Sequence, residues 1–134
     1  MNISLLFRTK FLTFFIALFS SLFFNIYAED SKTNIEEKKI SFLIKAVKDS
    51  KITFIRNGEE HTSEKAADHL QFKYKKATNM FWFFGPKTEI TAINFIEKIA
   101  SKSSTTGKAY QVRLKDGKVI TTEKWLKDKL KEYQ

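Results

Sequence analysis

The first 28 residues have the layout of a secretory signal peptide, and this leader limits how much chain is left to fold. Residues 1–10 are basic, residues 11–27 are almost entirely apolar, and Ala28 precedes a polar run that begins at Glu29. Subtracting these 28 residues from 134 leaves 106, enough for a single domain, 29–134, and too few for two. We therefore expect a periplasmic or secreted protein, cleaved after Ala28.

The same segment could instead be retained as a membrane anchor. A spanning helix requires about 20 apolar residues, and the apolar stretch here is a little shorter. It also contains polar residues, namely Thr13, Ser20, Ser21 and Asn25. We favour a cleaved leader for these reasons, although Ile26 is larger than the small residue usual two places before a cleavage point.

Composition excludes several classes of function. The chain contains no cysteine, so it has no disulfide, no thiol nucleophile and no thiolate metal ligand. Without the leader, the chain has 22 basic and 15 acidic residues. Only two of the basic residues, Arg56 and Arg113, are arginines, and this low number argues against nucleic-acid binding. His61 and His69 fall short of the three or four ligands that a metal needs. We predict no metal site and no cofactor.

Apolar spacing predicts four helices and three strands in the order α-β-α-α-β-β-α. Helical periodicity spans Thr33 to Ser50, Ala66 to Lys76, Ile93 to Ala100 and Trp125 to Tyr133. The last three helices can be capped by Thr62 or Ser63, by Thr88 or Thr91, and by Thr121 or Thr122. Strand patterns occupy Lys51 to Arg56, Tyr110 to Leu114 and Val119 to Thr121. Turns are expected at Asn57-Gly58 and at Asp116-Gly117, and Thr78 to Glu89 has no regular pattern. This order predicts an α+β domain with a small antiparallel sheet of about three strands and helices packed on one face.

Two segments and the spacing of a few residues within them carry a family resemblance. The segments are FIRNGEEHTSEKAADHLQFK (Phe54–Lys73) and FIEKIASKSSTTGKAYQVRL (Phe95–Leu114), and the matching positions are Arg56-Asn57-Gly58, His69-Leu70, Ser103-Ser104, Gly107 and Tyr110. Behind a signal peptide, they resemble the YfeK-like family of small exported bacterial proteins, catalogued as a domain of unknown function. The similarity covers most of residues 33–134. It implies a shared fold and a periplasmic or cell-envelope location, and it implies no activity.

The matched positions are largely polar, whereas a purely structural domain would mostly need its apolar stripe. A guanidinium, an imidazole and several hydroxyls suit recognition of a carboxylate or a sugar. We therefore predict a site for a small polar ligand or an envelope protein at Arg56, Asn57, His69, Ser101, Ser103, Ser104, Thr106 and Tyr110. In the alternative interpretation each group serves its own backbone, as a turn, a local hydrogen bond or a helix end.

Three functional hypotheses remain open. The preferred one is a non-catalytic exported binding module, with no catalytic residue assigned. The second is a periplasmic hydrolase or transferase, which requires a His69 nitrogen within about 3 Å of a serine oxygen. The third is membrane contact through the apolar run Met80, Phe81, Trp82, Phe83 and Phe84, which would otherwise plug the end of the core.

Overall fold

The computed structural model describes residues 32–84 and 90–134. These residues form four helices and four strands, together with the turns and loops that join them. The helices are α1 (32–49), α2 (Ser63–Phe84), α3 (Ala92–Asn94, continued by a π-helical segment, Phe95–Ala100) and α4 (Thr122–Leu130). Thr91 and Thr121 precede α3 and α4, and each side chain accepts a hydrogen bond from the backbone N–H three residues on. Both helices therefore begin at side-chain caps, as predicted.

The strands form one antiparallel sheet in the order β2-β1-β3-β4. They are β1 (Thr53–Arg56), β2 (Glu59–His61), β3 (Gln111–Arg113) and β4 (Val119–Thr121). One row across the sheet consists of His61, Phe54, Val112 and Ile120. Because side chains alternate along a strand, this row points to a single face.

The core lies between that face and the helices. From α1, Ile40, Leu43 and Val47 are fully buried, at the helical spacing that predicted an inward face. They join the other buried side chains, which are Phe54, Ala67, Leu70, Ala92, Phe95, Ile96, Ala100, Val112, Trp125 and Leu126. Gln111 and Thr121, on the opposite face of the sheet, are exposed. The α+β prediction with helices on one face is confirmed, and residues 35–134 form one compact unit.

The fourth strand is a correction to the predicted sheet of three. Asn57 and Gly58 both adopt positive φ, 53° and 89°, which matches the twist of a tight hairpin. The chain therefore turns back and pairs β2 with β1 instead of leaving the sheet. The sequence of β2, Glu-Glu-His, has no apolar alternation, so backbone hydrogen bonding at the sheet edge forms this strand without a sequence signal.

The second hairpin has a longer turn than expected. A hydrogen bond of 2.9 Å from Leu114 N to Lys118 O closes the ladder, which leaves residues 115–117 in the loop. Gly117 occupies the left-handed region at φ 85°. The hairpin is confirmed, but its turn has three residues and not two.

Helix α2 is longer than the sequence pattern predicted. The lysines near residue 76 favour a helix end electrostatically, yet the helix continues to Phe84 through the stretch expected to be irregular. The first helix-breaking residues in this part of the sequence are Gly85 and Pro86. The helix therefore continues where the sequence has no helix-breaking residue, and the lysines near residue 76 do not end it.

Several predictions fall on residues outside the described ranges. The leader, residues 1–28, is one of them, and the side chains of residues 80–84 are another, so cleavage and membrane contact stay predictions. Within the described helices, none is both long and apolar enough to cross a membrane.

Candidate functional site

A cavity of about 250 Å³ lies between the first half of α2 and the sheet. Its polar lining consists of Arg56, His61, Lys65, His69, Tyr110 and Thr122. Its apolar lining consists of Phe54, Ile55, Ala66, Leu70 and Ala100. No carboxylate is among these lining residues, so the charged groups of the wall are all basic.

The register of the sheet places three of the polar residues side by side. Across β1, β3 and β4, Ile55 pairs with Gln111, and Gln111 pairs with Thr121. The next row is therefore Arg56, Tyr110 and Thr122, and Thr122 N donates a hydrogen bond of 2.9 Å to Tyr110 O. Because side chains alternate along a strand, this row lies on the same face of the sheet as Phe54, which is the face that the helices cover. Residues far apart in sequence thus share one wall of the cavity.

The two histidines reach the cavity from different elements. His61 ends β2 and lies opposite Phe54, while His69 is on α2, four residues after Lys65. Residues four apart lie on one helix face, so Lys65, His69 and Lys73 form a basic stripe along α2. Because the β1-β2 hairpin lies beside α2, both histidines line one cavity although they are eight residues apart in sequence.

Three buried polar atoms on the cavity wall have no hydrogen-bond partner within the described part of the chain. They are His61 Nε2, His69 Nε2 and Thr122 Oγ1, and Thr122 as a whole is only 2% exposed. A buried polar atom without a partner costs about 1–3 kcal/mol, and most such atoms in folded proteins are paired. Their convergence on one cavity is the pattern that a polar ligand would satisfy.

The surroundings of His69 disfavour positive charge. Burial lowers the pKa of His69 most, and the nearby charges of Arg56, Lys73 and His61 lower it further. Its ring meets that of Tyr110 edge-on, with centroids 6.3 Å apart. The imidazole is therefore held towards its neutral form beside permanently charged groups.

Lys73 extends the positive region beyond the cavity wall. Its Nζ donates a hydrogen bond of 2.7 Å to the Lys102 carbonyl and lies 5.2 Å from the centre of the Tyr110 ring. Burial, with repulsion from Arg56 and Lys102, lowers its pKa to about 8. Burial also raises the pKa of Tyr110, against the opposing effects of Arg56 and of a hydrogen bond with Ser103. Burial is the largest cause of both shifts, and the Arg56 guanidinium acts on both groups.

The predicted site residues divide into two groups. Arg56, His69 and Tyr110 line the cavity. The residues outside its lining are Asn57, Ser101, Ser103, Ser104 and Thr106. The structure therefore brings together the guanidinium, one imidazole and the phenol, and leaves out the hydroxyl-rich loop.

The loop hydroxyls are engaged with nearby groups. Ser101 Oγ is buried and donates to the Ile96 carbonyl at 2.5 Å, at the end of the π-helical segment. Ser103 Oγ lies 3.1 Å from Thr105 Oγ1 and accepts a hydrogen bond from Thr106 N. These contacts are the helix-ending and turn-forming ones of the alternative interpretation.

A further contact ties this loop to the hairpin that follows Arg56. Thr106 Oγ1 donates to Asn57 Oδ1 at 3.1 Å, and Asn57 directly follows Arg56. Ser104 is exposed. Among the described residues, no serine hydroxyl hydrogen-bonds to His69, so the pair needed for serine-histidine chemistry is not formed.

Sequence reasoning missed three polar residues of the cavity. His61 was considered only as a metal ligand together with His69, Thr122 was considered only as a possible cap of the last helix, and Lys65 was not singled out. No cluster of three or more His, Asp or Glu that could hold a metal occurs in residues 32–84 and 90–134. A helical i, i+4 stripe of Lys65 and His69 was the available signal for Lys65, whereas Thr122 required the sheet register.

Comparisons with known proteins give a family and no activity. A model described as a family of unknown function, DUF5329, matches residues 34–134, which include every residue of the cavity wall. The uncharacterized protein YfeK of Salmonella typhimurium (strain LT2) is 40% identical over 76 residues, 56% of this chain and 57% of that protein. The chain thus matches little more than half of the relative's length, and the resemblance noted from the sequence is confirmed. No solved structure matches the chain significantly.

Proposed function

This chain belongs to a family of unknown function, DUF5329, and we propose that it is an exported, non-catalytic module that binds a small anionic ligand in the cavity between α2 and the sheet. One observation carries the proposal. Among the described residues, three that line this cavity each have a buried polar atom without a hydrogen-bond partner, and the charged side chains of that lining are all basic.

Charge decides the class of ligand. Arg56 and Lys65 lie on the wall, Lys73 stands beside it, and no described carboxylate forms an ion pair with Arg56. The lowered pKa values of His69 and Lys73 report mutual repulsion as well as burial. A bound negative charge would offset that repulsion and give the guanidinium a charge-assisted partner.

The hydrogen bonds that the serines make favour a binding function over a catalytic one. A nucleophilic serine needs a base within hydrogen-bond reach, but Ser101 and Ser103 are directed to local partners and His69 bonds to neither. The groups that do face the cavity are donors and cations. They suit recognition of an anion better than attack on a substrate.

The export part of the proposal rests on the leader and has its own test. Full-length protein expressed in a Gram-negative host is expected in the periplasmic fraction, with a mass that corresponds to a chain beginning at Glu29. Protein of full mass in the membrane pellet would support the anchor alternative and overturn cleavage.

The binding part is tested with a matched pair of arginine variants. Arg56→Gln removes the cavity guanidinium, whereas Arg113→Gln removes an arginine that pairs with Glu60 and does not line the cavity. Protein expressed from the full-length chain is titrated calorimetrically with benzoate and with inorganic phosphate. We expect at least one anion to bind, about tenfold or more weakly in Arg56→Gln because a charged hydrogen bond is lost, and unchanged in Arg113→Gln. Binding of neither anion, or equal loss in both variants, would overturn the proposal.

A further inference from the structure

The most buried side chains of the cavity lining are mainly apolar, and the basic side chains of the lining are more exposed. Phe54, Leu70 and Ala100 are 6%, 4% and 0% exposed, whereas Arg56 is only partly buried and Lys65 is exposed. A ligand that fills such a space places its uncharged body against the buried wall and its charge towards Arg56. A bare inorganic ion would leave the apolar wall without a contact.

The size of the cavity limits that body. At roughly 30 Å³ for each water-sized group, about 250 Å³ holds on the order of eight such groups. This is below the 300–1,000 Å³ that is usual for drug-sized ligands. The space therefore fits a short or single-ring molecule.

The backbone N–H groups of the three lining residues at helix starts are already in use. Phosphate sites commonly take free N–H groups from a helix N-terminus or a glycine-rich loop. In the first turn of α2, Lys65 N donates to Thr62 Oγ1 at 3.3 Å and Ala66 N to the Thr62 carbonyl at 3.0 Å. At the start of α4, Thr122 N donates to the Tyr110 carbonyl. No glycine of the described residues lines the cavity.

The remaining donors match a carboxylate. A guanidinium offers two parallel N–H groups to the two oxygens of one carboxylate, and Arg56 is the guanidinium on the wall. His61 and His69, whose Nε2 atoms have no partner among the described residues, line the same cavity. A carboxylate needs no backbone cradle, since these side chains supply its donors.

Resting on the proposed function, we infer that the ligand is a small monocarboxylic acid with an apolar body, bound through its carboxylate at Arg56 and through its body against Phe54, Leu70 and Ala100. The juxtaposition of one guanidinium with a small, dry, apolar wall carries this assignment. A phosphate ester of the same body is the competing outcome.

Four matched probes separate these features in calorimetric titrations of the protein expressed from its full-length chain. Benzoate carries both the carboxylate and the body, acetate lacks the body, benzamide lacks the charge, and phenyl phosphate exchanges the charged group. We expect benzoate to bind at least about tenfold more tightly than each of the others. In Arg56→Gln, benzoate should fall to the affinity of benzamide, and Arg113→Gln should bind as the unaltered protein does.

A second variant tests the place of the body without removing a charge. Ala66→Leu keeps a strong helix former on α2 while its larger side chain fills the cavity, so we expect it to lose benzoate binding and to keep its cooperative unfolding. Unchanged benzoate affinity in this variant would overturn the location.

The outcomes distinguish this inference from the proposed function. Tighter, Arg56-dependent binding of phenyl phosphate would overturn the carboxylate and leave anion binding in place. Equal affinity for acetate and benzoate would overturn the apolar body alone. No measurable binding of benzoate, phenyl phosphate or inorganic phosphate would overturn both.

Discussion

The cavity and the loop of residues 101–106 are both rich in polar side chains, but they differ in where their hydrogen bonds go. In the loop, buried hydroxyls are directed to local partners, as when Ser101 donates to the Ile96 carbonyl. In the cavity, Thr122 Oγ1 and the Nε2 atoms of His61 and His69 are buried without a partner. The two regions are in contact, since Tyr110 N donates a hydrogen bond of 2.8 Å to the Ser101 carbonyl, so neighbouring parts of one fold use polar residues in opposite ways.

This difference separates polar groups that stabilise the fold from polar groups that are available to a ligand. A hydroxyl that satisfies a buried carbonyl stabilises the fold, because unmaking that bond leaves an orphaned group. A buried polar atom with no partner destabilises the fold, and natural proteins retain such atoms mainly where a ligand, water or reaction uses them. Removing a hydroxyl should therefore have opposite effects in the two regions.

The largest expected effect is at the loop. Ser101→Ala should lower the free energy of unfolding by about 1–2 kcal/mol, because the Ile96 carbonyl loses a buried donor, and it should leave benzoate affinity unchanged. Urea denaturation measures the first quantity and calorimetry the second. Ser104→Ala, at an exposed position, serves as the control and should stay within about 0.5 kcal/mol of the unaltered protein. Weaker benzoate binding in Ser101→Ala would return this serine to the site.

The next effect has the opposite sign. Thr122→Val keeps the shape of the side chain and removes the unpartnered hydroxyl, so the free energy of unfolding should rise by about 1 kcal/mol. Thr121→Val is the matched control, because it removes the cap of α4 and should lower stability by about 1 kcal/mol. Urea denaturation of both variants tests the contrast. A loss of stability in Thr122→Val would mean that its hydroxyl already has a partner and that the comparison fails.

The smallest effect is a pH dependence at His69. Its pKa in the folded protein is lower than the usual 6.5, so the unfolded chain binds more protons in the window below 6.5. The free energy of unfolding should therefore decrease as pH falls from 7.5 through 6.5, and this part of the slope should vanish in His69→Gln. Urea midpoints at several pH values measure it. An identical slope in both proteins would contradict the unfavourable charging of His69.

Local patterns predicted most of the elements. The spacing of Ile40, Leu43 and Val47 predicted α1, and Thr91 and Thr121, which cap α3 and α4, were each one of two threonines predicted for that role. The strand β2 escaped prediction because an edge strand can form through its backbone alone, with Glu59 and Glu60 exposed. The extension of α2 to Phe84 escaped it because a charge pattern near residue 76 suggested an earlier end.

The site was predicted in part. Arg56, His69 and Tyr110 stood out as polar residues in matched segments, and they line the cavity together. Ser101 and Ser103 stood out for the same reason and make local contacts instead, and Thr106 donates to Asn57, outside the cavity lining. Residue type alone does not separate these cases, since a hydroxyl suits a helix end and a binding site equally well.

The sequence by itself determined the class of fold, the family and the basic character of the chain, because periodicity, capping and charge are properties of neighbouring residues. Only the tertiary structure decided which polar atoms lack a partner, because this depends on the sheet register that aligns Arg56, Tyr110 and Thr122 and on the hairpin that carries His61 to His69. Hydrogen bonding is satisfied or left unsatisfied in three dimensions. The cavity therefore exists only once distant segments have met.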